Sequence, residues 1–133
     1  MADISKTVKA PAKVRFSFES FTASDTLLPK ESGKLCKFNS ASTVILSLPP
    51  ASKSRPGEYF DFVIDTAATS GVGHSVSPSA NDKIFIPGAT NVDNKDLYWP
   101  TATDAVGNGA RIVSDGVDGW HVVWVTGTFA KEA

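Results

Sequence analysis

The sequence predicts an all-β protein: a single β-sandwich or jelly-roll-like domain of about eight strands behind a flexible N-terminal arm. Three observations carry this reading. Wherever apolar residues recur regularly, they alternate with a period of two, the repeat of a strand with one buried face. No segment of ten or more residues free of Gly and Pro sustains an apolar stripe of helical period. Turn chemistry interrupts the chain so often that the apolar runs are only four to nine residues long, the spacing of sandwich and jelly-roll strands. Helix content should therefore fall below about 10%, against about a third in an average domain.

Residues 1–13 form the arm. They contain Lys6, Lys9 and Lys13 but only two large apolar residues besides Met1, Ile4 and Val8. Ordering them costs about 1 to 2 kcal/mol per residue, whereas burying Ile4 and Val8 returns roughly 1.5 to 3 kcal/mol each. Such a segment orders only against a partner. The domain, residues 14–133, opens with Val14 to Ser20, whose alternation puts Val14, Phe16 and Phe18 on one face and Arg15, Ser17 and Glu19 on the other. Leu35 to Phe38 and Thr43 to Leu48 follow, joined by the turn-forming Asn39-Ser40-Ala41-Ser42, and can pair as a hairpin.

Three prolines between Pro49 and Gly57 remove backbone donors, so this stretch is expected to be an exposed loop that accepts insertions. Glu58 to Thr66 is the clearest strand, with Phe60, Phe62 and Ile64 inward and Asp61, Val63 and Asp65 outward. Shorter runs at His74 to Ser77 and Lys83 to Ile86 end at Pro78 and Pro87. Beyond the polar Ala89 to Asp96, Leu97-Tyr98-Trp99 precedes Pro100. Arg111 to Val113 and Trp120 to Phe129 are the last strands, joined by an Asp-Gly hairpin at Ser114 to Gly119. The expected core is Phe16, Phe18, Val44, Leu46, Phe60, Phe62, Ile64, Ile112, Trp120 and Val122.

At 133 residues the chain suits one domain, and three Trp with eight Phe give it a core without disulfides. The single Cys36 lies in an apolar run and reads as a small buried hydrophobe. A fold built without disulfides suits a reducing cytoplasm. Neither a signal peptide nor a run of 18 apolar residues is present. The net charge of -1 gives no reason to expect nucleic acid, but it is unevenly spread: residues 1–57 hold nine Lys/Arg and four Asp/Glu, and the rest four and ten. A basic end meeting an acidic surface on a partner or a second copy would use that asymmetry.

Catalysis finds little support. Only His74 and His121 are available as bases; His121 alternates to the outside of its strand, and no Gly-x-Ser-x-Gly elbow occurs. Two histidines without a cysteine pair make a poor zinc site, and neither Asn91 to Asp96 nor Asp115 to Asp118 matches a calcium loop. No catalytic residue, cofactor or metal is expected. The basic residues are not interleaved with exposed aromatics, as nucleic-acid binding requires. Tyr98 and Trp99 fit either the edge of the core or an interface anchor.

Several segments together resemble a known kind of module: Leu46-Ser47-Leu48-Pro49, Gly57-Glu58-Tyr59-Phe60-Asp61-Phe62-Val63, Gly73-His74-Ser75-Val76-Ser77-Pro78, and Val113 to Val122 with its Asp-Gly-Val-Asp-Gly-Trp turn, ending Thr126-Gly127-Thr128-Phe129. The chain over about residues 43 to 129 resembles small β modules of tailed-bacteriophage virion proteins, found in capsid decoration (cement) proteins and in head or tail fibre proteins. The resemblance implies a structural protein without enzymatic activity, made in the host cytoplasm and carried on the capsid exterior. Its implied partners are the major capsid protein and itself, as a homotrimer, with neither nucleic acid nor membrane. The module fills nearly the whole chain, without shaft repeats or heptads, which favours a decoration protein. The alternative is a carbohydrate- or receptor-binding module of a fibre, with Tyr98, Trp99 and Trp124 as stacking candidates. On the first reading, Ile4, Lys6, Val8, Lys9, Lys13, Tyr98 and Trp99 contact the capsid or a neighbouring subunit.

Overall fold

The computed structural model describes residues 17–133. Among them the regular structure is strand, with three single-turn 3-10 segments and no α-helix. In chain order the strands are β1 (Phe18–Phe21), β2 (Asp25–Thr26), β3 (Leu35–Asn39), β4 (Ile45–Ser47), β5 (Tyr59–Thr66), β6 (Ser75–Ser77), β7 (Lys83–Phe85), β8 (Leu97–Tyr98), β9 (Gly109–Ser114), β10 (Gly119–Val125) and β11 (Ala130–Lys131). They form two mixed sheets packed as a sandwich, one ordered β1-β3-β5-β9-β10-β7 and the other β11-β8-β6-β4-β2. The strand count exceeds eight because β2, β8 and β11 have two residues each, too few to leave an alternation in the sequence.

The topology departs from a jelly roll. From β1 to β6 the chain alternates between the sheets, and each strand adds in parallel to the one two before it. A jelly roll is antiparallel, whereas here five pairings are parallel and four antiparallel. The first half is therefore a flattened coil of three turns, completed by β7 to β11. The hairpin expected of Leu35–Phe38 with Thr43–Leu48 does not form, because β3 and β4 belong to opposite sheets. Its turn is stitched to the next coil instead: the N–H groups of Thr69 and Ser70 donate to the Ala41 carbonyl at 2.7 and 3.3 Å, and Ser42 bridges Ser70 in parallel. The Asp-Gly hairpin does join β9 to β10. Asp115 Oδ1 accepts the N–H groups of Val117, Asp118 and Gly119 at 2.8, 3.1 and 3.2 Å, which satisfies the turn's backbone donors.

The core lies between the sheets and holds Val44, Leu46, Phe60, Phe62, Ile64, Ile112 and Trp120, as expected, together with Phe38, Val76, Ile84, Leu97 and Trp99. Val122 is half-buried against it, and Phe16 lies outside the described residues. Phe18 is a correction. It is 66% exposed, because the register of β1 on β3 sets Phe21 opposite Phe38 and Glu19 opposite Cys36, so Phe21 takes the buried place. The inward turn of Glu19 is compensated by Lys34, whose Nζ donates to Glu19 Oε1 at 2.7 Å and also to Glu31. Burial alone would lower the Lys34 pKa; hydrogen bonds and charge from the two carboxylates outweigh it and raise it.

The Pro-rich stretch is only partly an exposed loop. Ser52 and Lys53 are exposed, but Pro49, Ala51 and Ser54 are buried. The Trp120 indole donates to the Pro49 carbonyl at 3.2 Å and the Ala51 N–H donates to Asp82 Oδ2 at 2.7 Å, while the Gly57 N–H donates to the Ser114 carbonyl at 2.9 Å, so both ends of the loop are fastened to the second half of the chain. Composition shows missing donors but not which remaining groups find partners.

Cys36 is fully buried. Burial pushes its thiol up to about 12, Lys34 pulling the other way and Glu31, Glu19 and Asp61 adding to the rise. At pH 8 the thiolate fraction is then about one in ten thousand. A thiol reagent is expected to leave the native protein unlabelled and to label one cysteine in urea. Rapid labelling of the native protein at pH 8 would overturn this placement.

Candidate functional site

Of the residues read from the sequence as interaction sites, Ile4, Lys6, Val8, Lys9 and Lys13 lie outside the described residues. Tyr98 and Trp99, adjacent in the chain, separate completely. Trp99 is fully buried. Its indole donates to the Thr126 carbonyl at 2.9 Å and its ring meets Phe38 edge-on at 6.0 Å. It is a core residue and cannot anchor a partner. Tyr98 stands on the other side of β8, where alternation sends it to the outer face of the five-stranded sheet.

There Tyr98 lines a groove of about 270 Å³ with Ile45 of β4, Val72, Ser75 of β6, Asp96 and Glu132. Its floor follows from strand register: Ile45 is opposite Ser75, and Ser75 opposite Tyr98. Its apolar side is exposed, Val72 by 63% and Ile45 by 37%. Its acidic end is built by the closing strand. The Glu132 N–H donates to the Asp96 carbonyl at 2.9 Å and the Asp96 N–H to Glu132 Oε1 at 3.3 Å. Burial raises the Asp96 carboxyl above its ordinary range and Glu132 adds to the shift, against the Ser77 hydroxyl and Lys95. The Lys95 ammonium is turned to the Ala133 carbonyl at 2.7 Å. A second, shallower hollow, lined by Ser24, Asp25, Thr26, Ile45 and Ser47, adjoins it through Ile45.

The outward position of Ile45 is legible, since Val44 and Leu46 alternate inward around it. The Asp96–Glu132 pair is not, because it depends on two strands of two residues each.

The outer face of the six-stranded sheet carries Trp124, 45% exposed, and Val123, 61% exposed. Simple alternation from Trp120 would turn Trp124 inward. A bulge between Val122 and Trp124 changes the parity and sets Trp124 opposite Arg111. Arg111 pairs with Asp61 in a two-bond fork at 2.7 and 2.9 Å and lies over the Tyr59 ring at 4.6 Å.

Both histidines have structural employment. His74 is fully buried and stacked on Phe38 at 4.9 Å. Its Nδ1 accepts the Val44 N–H at 3.1 Å, which requires a lone pair there, so Nε2 carries the proton and donates to the Thr66 carbonyl at 2.9 Å. The ring thereby ties β5 in one sheet to the approach of β4 in the other. His121 stacks on Phe85 at 4.2 Å with Nε2 3.3 Å from Asp115 Oδ2. Among the described residues no group of three or more His, Cys, Asp or Glu is placed to hold a metal ion, and no helix is long and apolar enough to cross a membrane.

No protein-family model matches this chain, and no curated protein matches it.

Proposed function

We propose that this protein is a structural virion component of a tailed bacteriophage: a non-catalytic decoration (cement) protein that binds the major capsid protein on the outside of the head, as a homotrimer, and reinforces the shell. The observation that carries the reading is a division of labour among side chains. The polar groups that could do chemistry are occupied within the fold, His74 between the sheets and Arg111 on Asp61, while large apolar groups stand on the outer faces: Phe18, Val72, Val123 and Trp124. Val123 and Trp124, adjacent on one face, and Val72 beside the groove on the other, offer the domain apolar contact points for a partner. The phage resemblance supplies the milieu in which such a module works. Many modest contacts on one closed particle suffice, because mass action favours the assembled state that the protein binds.

Mixing the purified protein with undecorated capsids is expected to give saturable co-sedimentation and a higher disruption temperature of the shell. Capsids of the cognate phage that sediment bare at saturating protein would overturn the reading. Trp124, exposed beside the Asp61–Arg111 pair, supports a second reading as a carbohydrate- or receptor-binding module of a fibre. A glycan array with the wild type and Trp124→Ala tests it: a hit lost in the variant supports it, and no hit removes it.

A further inference from the structure

We propose that the outer groove of the five-stranded sheet receives residues 1–13 of a second copy of this chain, so that copies join head to tail into a closed ring. The inference rests on the self-association in the reading above and names the surface and the segment that bring it about. Three observations support it.

The first is charge. Asp96 and Glu132 line the groove and Asp25 lines the adjoining hollow; of the two bases next to these acids in the chain, Lys95 is engaged by the Ala133 carbonyl and Lys131 is not among the groove's lining residues. Residues 1–13 offer Lys6, Lys9 and Lys13 against the single acid Asp3. The second is apolar fit. Ile45, Val72 and Tyr98 form the groove's uncovered apolar side, and in an extended segment Ile4, Lys6 and Val8 share one face, two apolar groups flanking a base.

The third is reach, which decides between a chain's own groove and its neighbour's. The Ser17 carbonyl accepts the Leu35 N–H at 2.8 Å, so the segment departs from the free edge of β1, at the end of the sandwich formed by β1 and β2. The acidic end of the groove lies beside β8 and β11, and β8 is three strands from β2. Folding back onto its own body, the segment would have to cover about 10 Å between sheets and about 15 Å across one, around two corners. At full extension the Lys13 backbone lies at most ~14 Å from Ser17 and that of Lys9 at most ~29 Å. Lys13 falls short of the acidic end of its own groove, so its pairing there requires a neighbour, while Lys9 and Lys6 reach it in either arrangement. A neighbour whose β1/β2 end faces the groove removes this constraint. Donor and acceptor then lie toward opposite ends of the sandwich, the donor at the edge of the six-stranded sheet and the acceptor on the five-stranded one, a heterologous contact that closes into a ring when the rotation allows it.

The test uses the full chain. Sedimentation is expected to show an oligomer at tens of micromolar. Deleting residues 2–12 should leave a folded monomer. Ile45→Asp should weaken association by at least about tenfold, as loss of a central apolar contact does, and Glu132→Lys by up to about fivefold, most clearly at low salt. A chain carrying Val8→Cys and Val72→Cys with Cys36→Ala should, on oxidation, give disulfide-linked multimers on a non-reducing gel. A bond formed only within one chain, no bond at all, or association indifferent to the deletion and to Ile45→Asp would overturn the proposal. Capsid binding is measured separately on the same variants. A protein that self-associates through the groove but ignores capsids keeps this inference and loses the decoration reading; capsid binding by a protein that fails these association tests does the reverse.

Discussion

Replacing Phe62 by Ala is expected to lower the stability of the protein by about 3 to 5 kcal/mol, the range for deleting a fully buried aromatic side chain. Phe62 has no exposed surface and sits on β5, which joins the two halves of the fold: β3 adds to one side in parallel, β9 to the other in antiparallel. Its ring stacks with Phe38 at 6.1 Å and tilts against Phe60 at 6.5 Å. Deleting it therefore opens a cavity that the rigid strand pairing on both sides prevents from closing, and the lost transfer energy and the cavity cost add. Urea unfolding followed by tryptophan emission, with Trp99 and Trp120 in the same core, measures the change. A loss below about 1 kcal/mol would mean that the core collapses into the gap, and the close packing described for β5 would be wrong.

How much of this architecture the sequence discloses can be followed residue by residue. Alternation over Tyr59 to Thr66 is long enough to fix the inner face, and Phe60, Phe62 and Ile64 are buried as it requires. The same rule gives the wrong face at Phe18. There the competing solution buries Phe21 and reconciles Glu19 through Lys34, a partner fifteen residues away that no local pattern reveals. At Trp124 the rule fails because a bulge consumes one residue. Parallel pairing is also silent in the sequence: a strand followed by a polar turn looks alike whether the chain folds back beside itself or crosses to the opposite sheet, and here the contacts of Ala41 with Thr69 and Ser70 decide. The groove was half legible. Tyr98 and Ile45 lie where alternation puts them, but the acids that close it come together only through the pairing of β8 with β11.

Gly73→Ala is expected to destabilise the protein by about 3 kcal/mol or more, lowering the melting temperature by roughly 10 °C, through strain and collision combined. Gly73 has φ +117, and a Cβ placed there would lie 1.8 Å from the Trp99 carbonyl oxygen and 2.8 Å from its carbon. Neither atom can yield cheaply. The Trp99 backbone is held on one side by its N–H bond to the His74 carbonyl at 3.0 Å and on the other by its buried indole on Thr126. The Gly73 N–H itself donates to Thr43 Oγ1 at 3.0 Å, which pins this turn to the preceding coil. The Gly73-His74 pair thus has a physical reason: glycine lets β6 approach the backbone of the Trp99 segment, and histidine then bonds both sheets from the position so created. Gly107→Ala separates the two costs. Gly107 also has positive φ, +95, but a Cβ there meets nothing within 4 Å, so that variant bears only the conformational penalty, about 1 to 2 kcal/mol. Equal losses in the two variants would show that the Trp99 backbone moves aside freely. A clearly larger loss in Gly73→Ala would show that it does not, and because Val72 and Tyr98 flank this contact, the same variant should also weaken any partner held in the outer groove.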